Sequence, residues 1–285
     1  MEMVSVAKMK KSTDMANRGR AYARFTLDLL SHISSMQGIT HPLLEVKEKP
    51  SNKELVIAIS SNKGLAGAYN TNISKALAEY KKKTSNKIDT LTIGKQSEKS
   101  ARRSNLDIIA SFIHFSEKSS SDEFLVIRDM VIEKFMSGDY DKVSVLYTEW
   151  KSATTYKPFL IQILPIVPSI YQNHLFEDEL VPHQAQSARP DDSGRSGGDF
   201  REYKFEPDEK SVLEQVVPQA VALALYPSFV ESLASEHSAR MFAMKNANDN
   251  AGEILDNLTL FYNQARQAAI TQEISEIVGG AAAVG

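Results

Sequence analysis

The stretch MFAMKNANDNAGEILDNLTLFYNQARQAA, residues 241–269, decides the architecture that we predict for this chain. Its apolar and small side chains recur at alternating steps of three and four residues, the spacing of a coiled-coil contact seam. The seam comprises Met241, Met244, Asn248, Ala251, Leu255, Leu258, Tyr262, Ala265 and Ala269. The pattern therefore predicts a long helix that packs lengthwise against another helix.

The N-terminal residues are suited to be that other helix. Residues 1–37 contain no proline and a single glycine, Gly19, among good helix formers. Residues 1–24 hold six basic and two acidic residues, whereas residues 228–285 hold seven acidic and three basic residues. Because opposite charges favour pairing, we predict an antiparallel coiled coil of an N-terminal helix, 1–38, and a C-terminal helix, 208–285.

Residues 53–168 carry a different pattern, typical of an inserted α/β (Rossmann-like) domain. Apolar, strand-like runs at 55–59, 88–94, 107–112, 142–150 and 159–167 alternate with helical stretches at 68–83, 96–103 and 121–136. This alternation indicates a sheet with parallel pairs covered by helices. Prolines in and around the last run favour an edge strand. The predicted fold class is α+β.

Two further segments qualify this division of the chain. Residues 172–205 are rich in Ser, Gly, Pro, Asp and Gln, and we interpret them as a mobile polar insertion. Pro218 and Pro227 lie early in the predicted C-terminal helix, where they are expected to kink or interrupt it. The most apolar run, 216–230, contains both prolines and is shorter than the ~20 residues of a membrane-spanning helix, so no span is predicted.

Composition excludes several classes of protein. The chain has 285 residues, no cysteine and a formal net charge of -3. Disulfide scaffolds, thiolate metal sites and a cysteine nucleophile are therefore excluded. A near-neutral balance also argues against a surface built as a whole for nucleic acid.

Candidate catalytic and binding motifs are weak. The turn at residues 61–67 has glycines but lacks the spacing of a phosphate-binding loop, so we interpret it as a tight strand-to-helix turn. The six histidines are dispersed, and no zinc site is predicted. We interpret Ser235, Glu236, His237 and Ser238 as part of a polar helix face.

Two alternatives remain open at this point. A nucleotide-binding α/β enzyme would use the turn at 61–67 to hold phosphate, and titration with ATP would reveal it. A coiled-coil adaptor would use Lys8, Lys10 and Lys11 as a basic nucleic-acid-binding arm, whose affinity would fall with salt. Pairing of the basic helix with an acidic partner is the reading that we favour.

Residues 234–253 and 258–283 closely resemble the C-terminal signature of the gamma subunit of rotary F-type ATP synthases. Residues 1–11 resemble the N-terminal helix motif of that family, and residues 60–70 resemble its first strand-turn motif. Order and spacing agree over nearly the whole chain. The insertion lies outside the resemblance.

The resemblance implies a non-catalytic rotor shaft without a cofactor. Its coiled coil would turn inside a hexamer of alternating alpha and beta subunits, which hold the nucleotide chemistry. The α/β domain would form a foot on the membrane-embedded c-ring, together with the epsilon subunit. Proton flow would then drive ATP synthesis. No nucleic acid is implied, and the expected location is peripheral, on the cytoplasmic side of the cell inner membrane.

The resemblance also implies partner contacts at particular residues. Arg266 and Gln267 match an Arg-Gln pair that grips a beta-subunit loop, and Thr271 and Glu273 follow in the same motif. Met1 matches a methionine that faces the beta subunit. Tyr203, Phe205 and Tyr226 fall near the expected foot surface. The family helix normally begins several turns before the motif at Met1, so either the start codon is misplaced, the chain is trimmed or the N-terminal helix is shorter. In the last case we expect the C-terminal helix to lose its pairing near Arg266 and to depend there on the surrounding hexamer.

Overall fold

The computed structural model describes residues 1–35, 41–45, 50–166 and 208–284, with side chains outside 19–35, 209–210 and 282–284. The helices are α1 (Glu2–Ser35), α2 (Tyr69–Lys83), α3 (Lys95–Arg103), α4 (Leu125–Met136) and α5 (Glu209–Val284), and a 3₁₀ turn, Ser121–Phe124, precedes α4. The strands are β1 (Lys53–Ile59), β2 (Lys87–Ile93), β3 (Asp107–Phe112), β4 (Lys142–Trp150) and β5 (Tyr156–Leu164). The predicted insertion at 172–205 lies outside the described residues.

The five strands form one mixed sheet in the order β3-β2-β1-β4-β5. Strands β1 to β4 are parallel, and β5 is antiparallel to β4. The edge position that the prolines predict for the last strand is confirmed, with Pro158 opposite Thr148 in the register. The α/β alternation therefore produced the predicted parallel sheet with helical covers.

Both faces of the sheet are buried, which explains the unbroken apolar run of β1. Side chains alternate along the strand, so that Leu55 and Ile57 face one layer and Val56 faces the other. The layer on the side of Val56 comes from α2 and α3. The opposite, larger layer combines α4 with the first part of α5, which contributes Leu213, Val217, Val221, Leu225 and Phe229.

Helix α5 continues through both prolines, so the expectation that they would interrupt it was wrong. Each proline removes one backbone hydrogen bond, at a position where its ring is half-buried. Val217, Val221 and Leu225 are fully buried around these positions. Packing on the sheet thus overrides the local preference of proline.

Within the described ranges, α5 is the one helix that is both long enough and apolar enough to cross a membrane. Half of its most apolar window is buried inside the protein. Packing against the sheet therefore accounts for that composition.

Helices α1 and α5 pack through small side chains. Ser5, Ser12 and Ala16 of α1 are buried at spacings of seven and four residues. On α5, residues 232–239 are buried and residues 241–244 are half-buried. Residues 245–281 are exposed except for the half-buried Asn263. The predicted coiled-coil seam thus has a partner within the described chain only as far as Met244.

Gly94 holds the end of β2 against the end of β1. Its φ is 99°, and a Cβ there would lie 2.2 Å from the carbonyl oxygen of Ser60. Gly138 has a similar φ of 91° but open space around it. We expect Gly94→Ala to lower the free energy of unfolding by more than about 1 kcal/mol beyond Gly138→Ala, because only the first adds a clash to the strain. Urea unfolding of both variants measures the difference, and equal losses would contradict it.

Candidate functional site

Helix α5 is hydrogen-bonded to the carboxyl end of β4 through a buried group that we call the joint. The joint consists of Ser232, Ser235 and Ser238 of α5, Thr148 and Trp150 of β4, and Tyr69 at the start of α2. The Ser235 hydroxyl donates to the Thr148 carbonyl oxygen at 3.2 Å, and the Thr148 amide donates to Ser232 Oγ at 3.1 Å. Tyr69 donates its hydroxyl to Ser232 Oγ, and Trp150 Nε1 donates to Ser238 Oγ, both at 3.1 Å.

The position of the joint follows from where the strands end. The pairing of β1 with β4 stops at Ala58 and Leu146, two residues before Thr148. On the other side, Pro158 faces Thr148 and has no N–H to donate. Buried backbone groups must find partners, and the serines of α5 supply them.

The turn after β1 is occupied by protein contacts. The Ser61 amide and hydroxyl both bond Asn70 Oδ1, and Asn62 Nδ2 donates to the carbonyl oxygen of Phe115. Tyr69, the first residue of α2, is 1% exposed beneath α5. A Cβ on Gly67 would lie 3.8 Å from the backbone of Ala239. The buried residues Ala66 and Tyr69 thus pack against Ala239 of α5, whereas residues 63–65 are exposed. The segment is a strand-to-helix turn between β1 and α2, as predicted.

A charged cluster borders the joint. Arg240 Nη2 lies 2.7 Å from Glu236 Oε1, and it also donates to the carbonyl oxygen of Gly64 at 3.3 Å. Burial raises the pKa of Glu236, and Arg240 opposes that rise. Lys8 of α1 pairs with Glu117 at 2.5 Å. The basic helix thus meets an acidic partner, which for Lys8 is a residue of the α/β domain.

His237 is buried in the same cluster, only 4% exposed. Burial, reinforced by Arg240, lowers the pKa of His237 to about 4, so that its ring is neutral at pH 7. The polar face predicted for residues 235–238 consequently points into the protein. Sequence periodicity alone does not distinguish a polar face toward solvent from one toward a sheet end.

Beyond this cluster, from residue 245 onward, α5 is not covered by any other described part of the chain. Arg266, Gln267, Thr271 and Glu273 lie within two turns of each other on its exposed part. Arg266 and Glu273 are seven residues apart and share one face. The Thr271 hydroxyl donates to the Gln267 carbonyl oxygen at 2.8 Å. These four polar side chains form a compact exposed group.

The structure does not bring Met1 to that group. Met1 directly precedes α1 and is 80% exposed, and residues 245–281 of α5 are exposed apart from the half-buried Asn263.

The predicted foot residues differ in what the structure describes. Tyr226 is half-buried, with its ring centroid 5.5 Å from that of Phe124. Burial raises the pKa of Tyr226. Tyr203 and Phe205 lie outside the described residues.

Sequence reasoning missed the joint itself. Its signal was a serine stripe, residues 228, 232, 235 and 238, with helical spacing inside an otherwise apolar stretch. The partners Tyr69, Thr148 and Trp150 are separated by more than 80 residues from the serines that they bond. Such distant partners carry no local sequence pattern.

Comparisons with known proteins agree over the whole chain. A family model described as ATP synthase matches residues 1–284. A protein from Pelotomaculum thermopropionicum named ATP synthase gamma chain is 34% identical over 285 residues, covering 100% of this chain and 92% of the relative. A protein of the same name from Dehalococcoides mccartyi is 33% identical over 287 residues, with the same coverage of both chains.

Solved structures share the fold. A chain in the central stalk and c-ring structure of the Tetrahymena thermophila mitochondrial ATP synthase matches with a TM-score of 0.60 and 23% identity. The match covers 87% of this chain and 97% of that one. A chain of the Euglena gracilis mitochondrial ATP synthase matches with a TM-score of 0.58 and 18% identity, covering 99% and 94%.

The buried neutral state of His237 predicts a dependence of stability on pH. Its folded-state pKa lies below its ordinary value of 6.5, so the unfolded chain binds the extra proton first as pH falls. We expect the free energy of unfolding to drop by about 2 kcal/mol from this residue between pH 7.5 and 5. Urea unfolding of His237→Gln should lack that component. The control His114→Gln, at an exposed position, should keep it, and an unchanged slope in His237→Gln would contradict the assignment.

Arg240→Met should leave the Glu236 carboxylate buried without its partner, at a cost of about 3 kcal/mol at pH 8. Because the folded-state pKa of Glu236 is raised above its ordinary value, the carboxyl takes up a proton before the unfolded chain does, and the loss should be smaller at pH 5 than at pH 8. Urea unfolding at pH 5 and 8 measures both values. The double variant Glu236→Gln with Arg240→Met should recover part of the loss at pH 8, and no recovery would argue against the pair.

Proposed function

The chain belongs to the family of ATP synthase gamma chains, and on that premise we propose how its described surfaces carry torque. It is the non-catalytic rotor shaft of the central stalk, whose partners are other subunits of an ATP synthase. We infer that the exposed end of α5 contacts the alpha and beta subunits of the catalytic hexamer, and that the α/β domain contacts the epsilon subunit and the c-ring.

Each part of the chain has a role in this proposal. Residues 1–38 and 208–285 form the shaft, residues 53–168 form the foot and residues 172–205 form the insertion. Helix α1 reinforces α5 near the foot, where their small buried residues allow close packing. Two helices packed together resist bending more than one, so the shaft is stiffest where it leaves the foot.

The exposed length of α5 is the observation that carries the proposal. Residues 245–281 extend for about 55 Å without cover from the described part of the chain. Leu255, Leu260 and Phe261 are 64%, 56% and 64% exposed and lie on different faces of the helix. A helix with exposed apolar groups on several faces requires a surrounding protein surface. A sleeve formed by the alpha and beta subunits meets that requirement.

We propose that the group at Arg266 is the contact with a beta-subunit loop. The Arg266 guanidinium offers a planar set of donors that suits a carboxylate. Gln267 adds an amide on the neighbouring face, and Thr271 and Glu273 extend the contact by up to two turns. All four are exposed, so binding would bury them without rearrangement of the shaft.

Two further contacts are proposed, one at Met1 and one at the aromatic residues of the foot. Met1 is proposed to pack against the beta subunit beside the region where α1 packs on α5, and its exposure supports an apolar contact. Tyr226 is proposed to face the foot surface together with Tyr203 and Phe205. Only the exposed part of the Tyr226 ring is free for a partner, because the rest packs on Phe124.

The chain is part of a membrane-bound complex through these partners. We propose a peripheral location on the cytoplasmic side of the cell inner membrane, with the c-ring as the membrane-embedded component. Membrane attachment would then depend on the foot.

Co-expression with alpha and beta subunits tests the proposed function. The unmodified chain should enter a complex with ATPase activity. Arg266→Ala with Gln267→Ala should weaken the complex or its coupled turnover by about tenfold or more, because a hydrogen bond to a charged group is worth about 1.5–3 kcal/mol. Complex stability and ATP synthesis in membrane vesicles are the measurements.

Lys245→Ala with Gln264→Ala is the matched control for this test. It also removes one cation and one amide from the exposed part of α5. Because both residues also lie on the part of α5 that we propose to enter the sleeve, this variant measures the effect of losing general surface contacts. It should lower assembly and ATP synthesis clearly less than the first double variant. Equal behaviour of the two double variants would remove Arg266 and Gln267 from the proposed contact.

A further inference from the structure

We propose that Ser232, Ser235 and Ser238 set the rotational angle of α5 on the foot, so that torque crosses from the foot to the shaft through the joint. This inference rests on the proposed rotor function. It assigns these serines as positioning residues that act through Thr148, Trp150 and Tyr69.

Residues 213–239 of α5 lie against the sheet and its covering helices, with Val217, Val221 and Leu225 fully buried. These noncovalent contacts fix the angle of α5 about its own axis.

Among those contacts, the hydrogen bonds of the joint, together with the one from Arg240 to the Gly64 carbonyl oxygen, are the directional part. The apolar contacts of Leu225 and Phe229 with the core depend on buried area and tolerate small rotations of the helix. Hydrogen bonds require both a distance and an angle. Serines on one stripe of α5 bond the two backbone groups of Thr148, so a rotation that shortens one bond strains the other.

Burial makes these bonds hard to exchange for water. Ser232, Ser235, Thr148 and Tyr69 are each no more than 1% exposed, and Ser238 is fully buried. A hydrogen bond broken in such surroundings leaves both groups unsatisfied. The joint also lies where α5 leaves the sheet, directly before the exposed part begins. Any turning force between foot and shaft therefore acts across it.

The test uses the double variant Ser232→Ala with Ser235→Ala in the assembled ATP synthase. Ser228→Ala is the matched control, because its hydroxyl lies on the same helix and donates within α5, to the Ala224 carbonyl oxygen at 2.7 Å. The double variant removes bonds between helix and sheet, whereas the control removes a bond inside the helix. Both make the same change of side chain.

One measurement reports on the hydrogen bonds of the joint, and a second reports on the transmission of torque. Amide hydrogen exchange at Thr148 should accelerate roughly fivefold or more in the double variant, because its acceptor is lost. ATP hydrolysis without a proton gradient should match the control. ATP-driven proton pumping for each ATP hydrolysed should fall clearly below the control, and a purely structural role would not change this ratio.

The proposal is overturned if the double variant pumps as many protons for each ATP hydrolysed as the control does. It is also overturned if amide hydrogen exchange at Thr148 is unchanged in the double variant. Should the double variant fail to assemble, Ser238→Ala gives the same comparison, because it removes only the hydroxyl that accepts the hydrogen bond of Trp150 Nε1. Failure of the unmodified chain to enter an active complex would instead contradict the proposed partner contacts. The two failures are therefore distinguishable.

Discussion

The docking of α5 on the carboxyl end of β4 is the constraint on which the rest of the structure depends. One helix completes the core of the sheet with its first part and leaves the domain with its second part. Between the two, Ser232 and Ser235 bond the backbone N–H and C=O of Thr148, beyond the last residue of β4 that pairs with β1. The same contacts cover the end of β4 and fix the direction in which α5 leaves the domain.

The region where α1 packs on α5, beside the joint, combines close packing of small side chains with hydrogen bonds and an ion pair. Small side chains such as Ser12 and Ala16 let α1 approach α5 closely, which maximises packing but offers little directional specificity. The Glu236–Arg240 pair and the bonds of the joint supply that specificity. Burial adds a dependence on protonation, since Glu236 and His237 both resist their charged forms.

The α/β domain attaches α5 at the carboxyl edge of its parallel strands, the edge at which many α/β proteins bind a ligand. At the carboxyl edge of a parallel sheet, the turn at 61–67 is where a ligand-binding fold would hold phosphate. Here its polar groups bond other protein groups, and Tyr69 lies beneath α5. Helix α5 packs on Ala66 and Tyr69 beside this turn, which makes this edge of the sheet an attachment point for the helix.

The sequence by itself determined the secondary structure, the α+β class and the exposed Arg266 group, because these follow from local periodicity and from a contiguous family motif. It also indicated the edge position of β5 through Pro158. It could not show that α5 runs unbroken through Pro227, nor that His237 is buried. Those features arise from contacts between residues far apart in the chain, and only the tertiary structure brings Thr148 to the serine stripe that holds it.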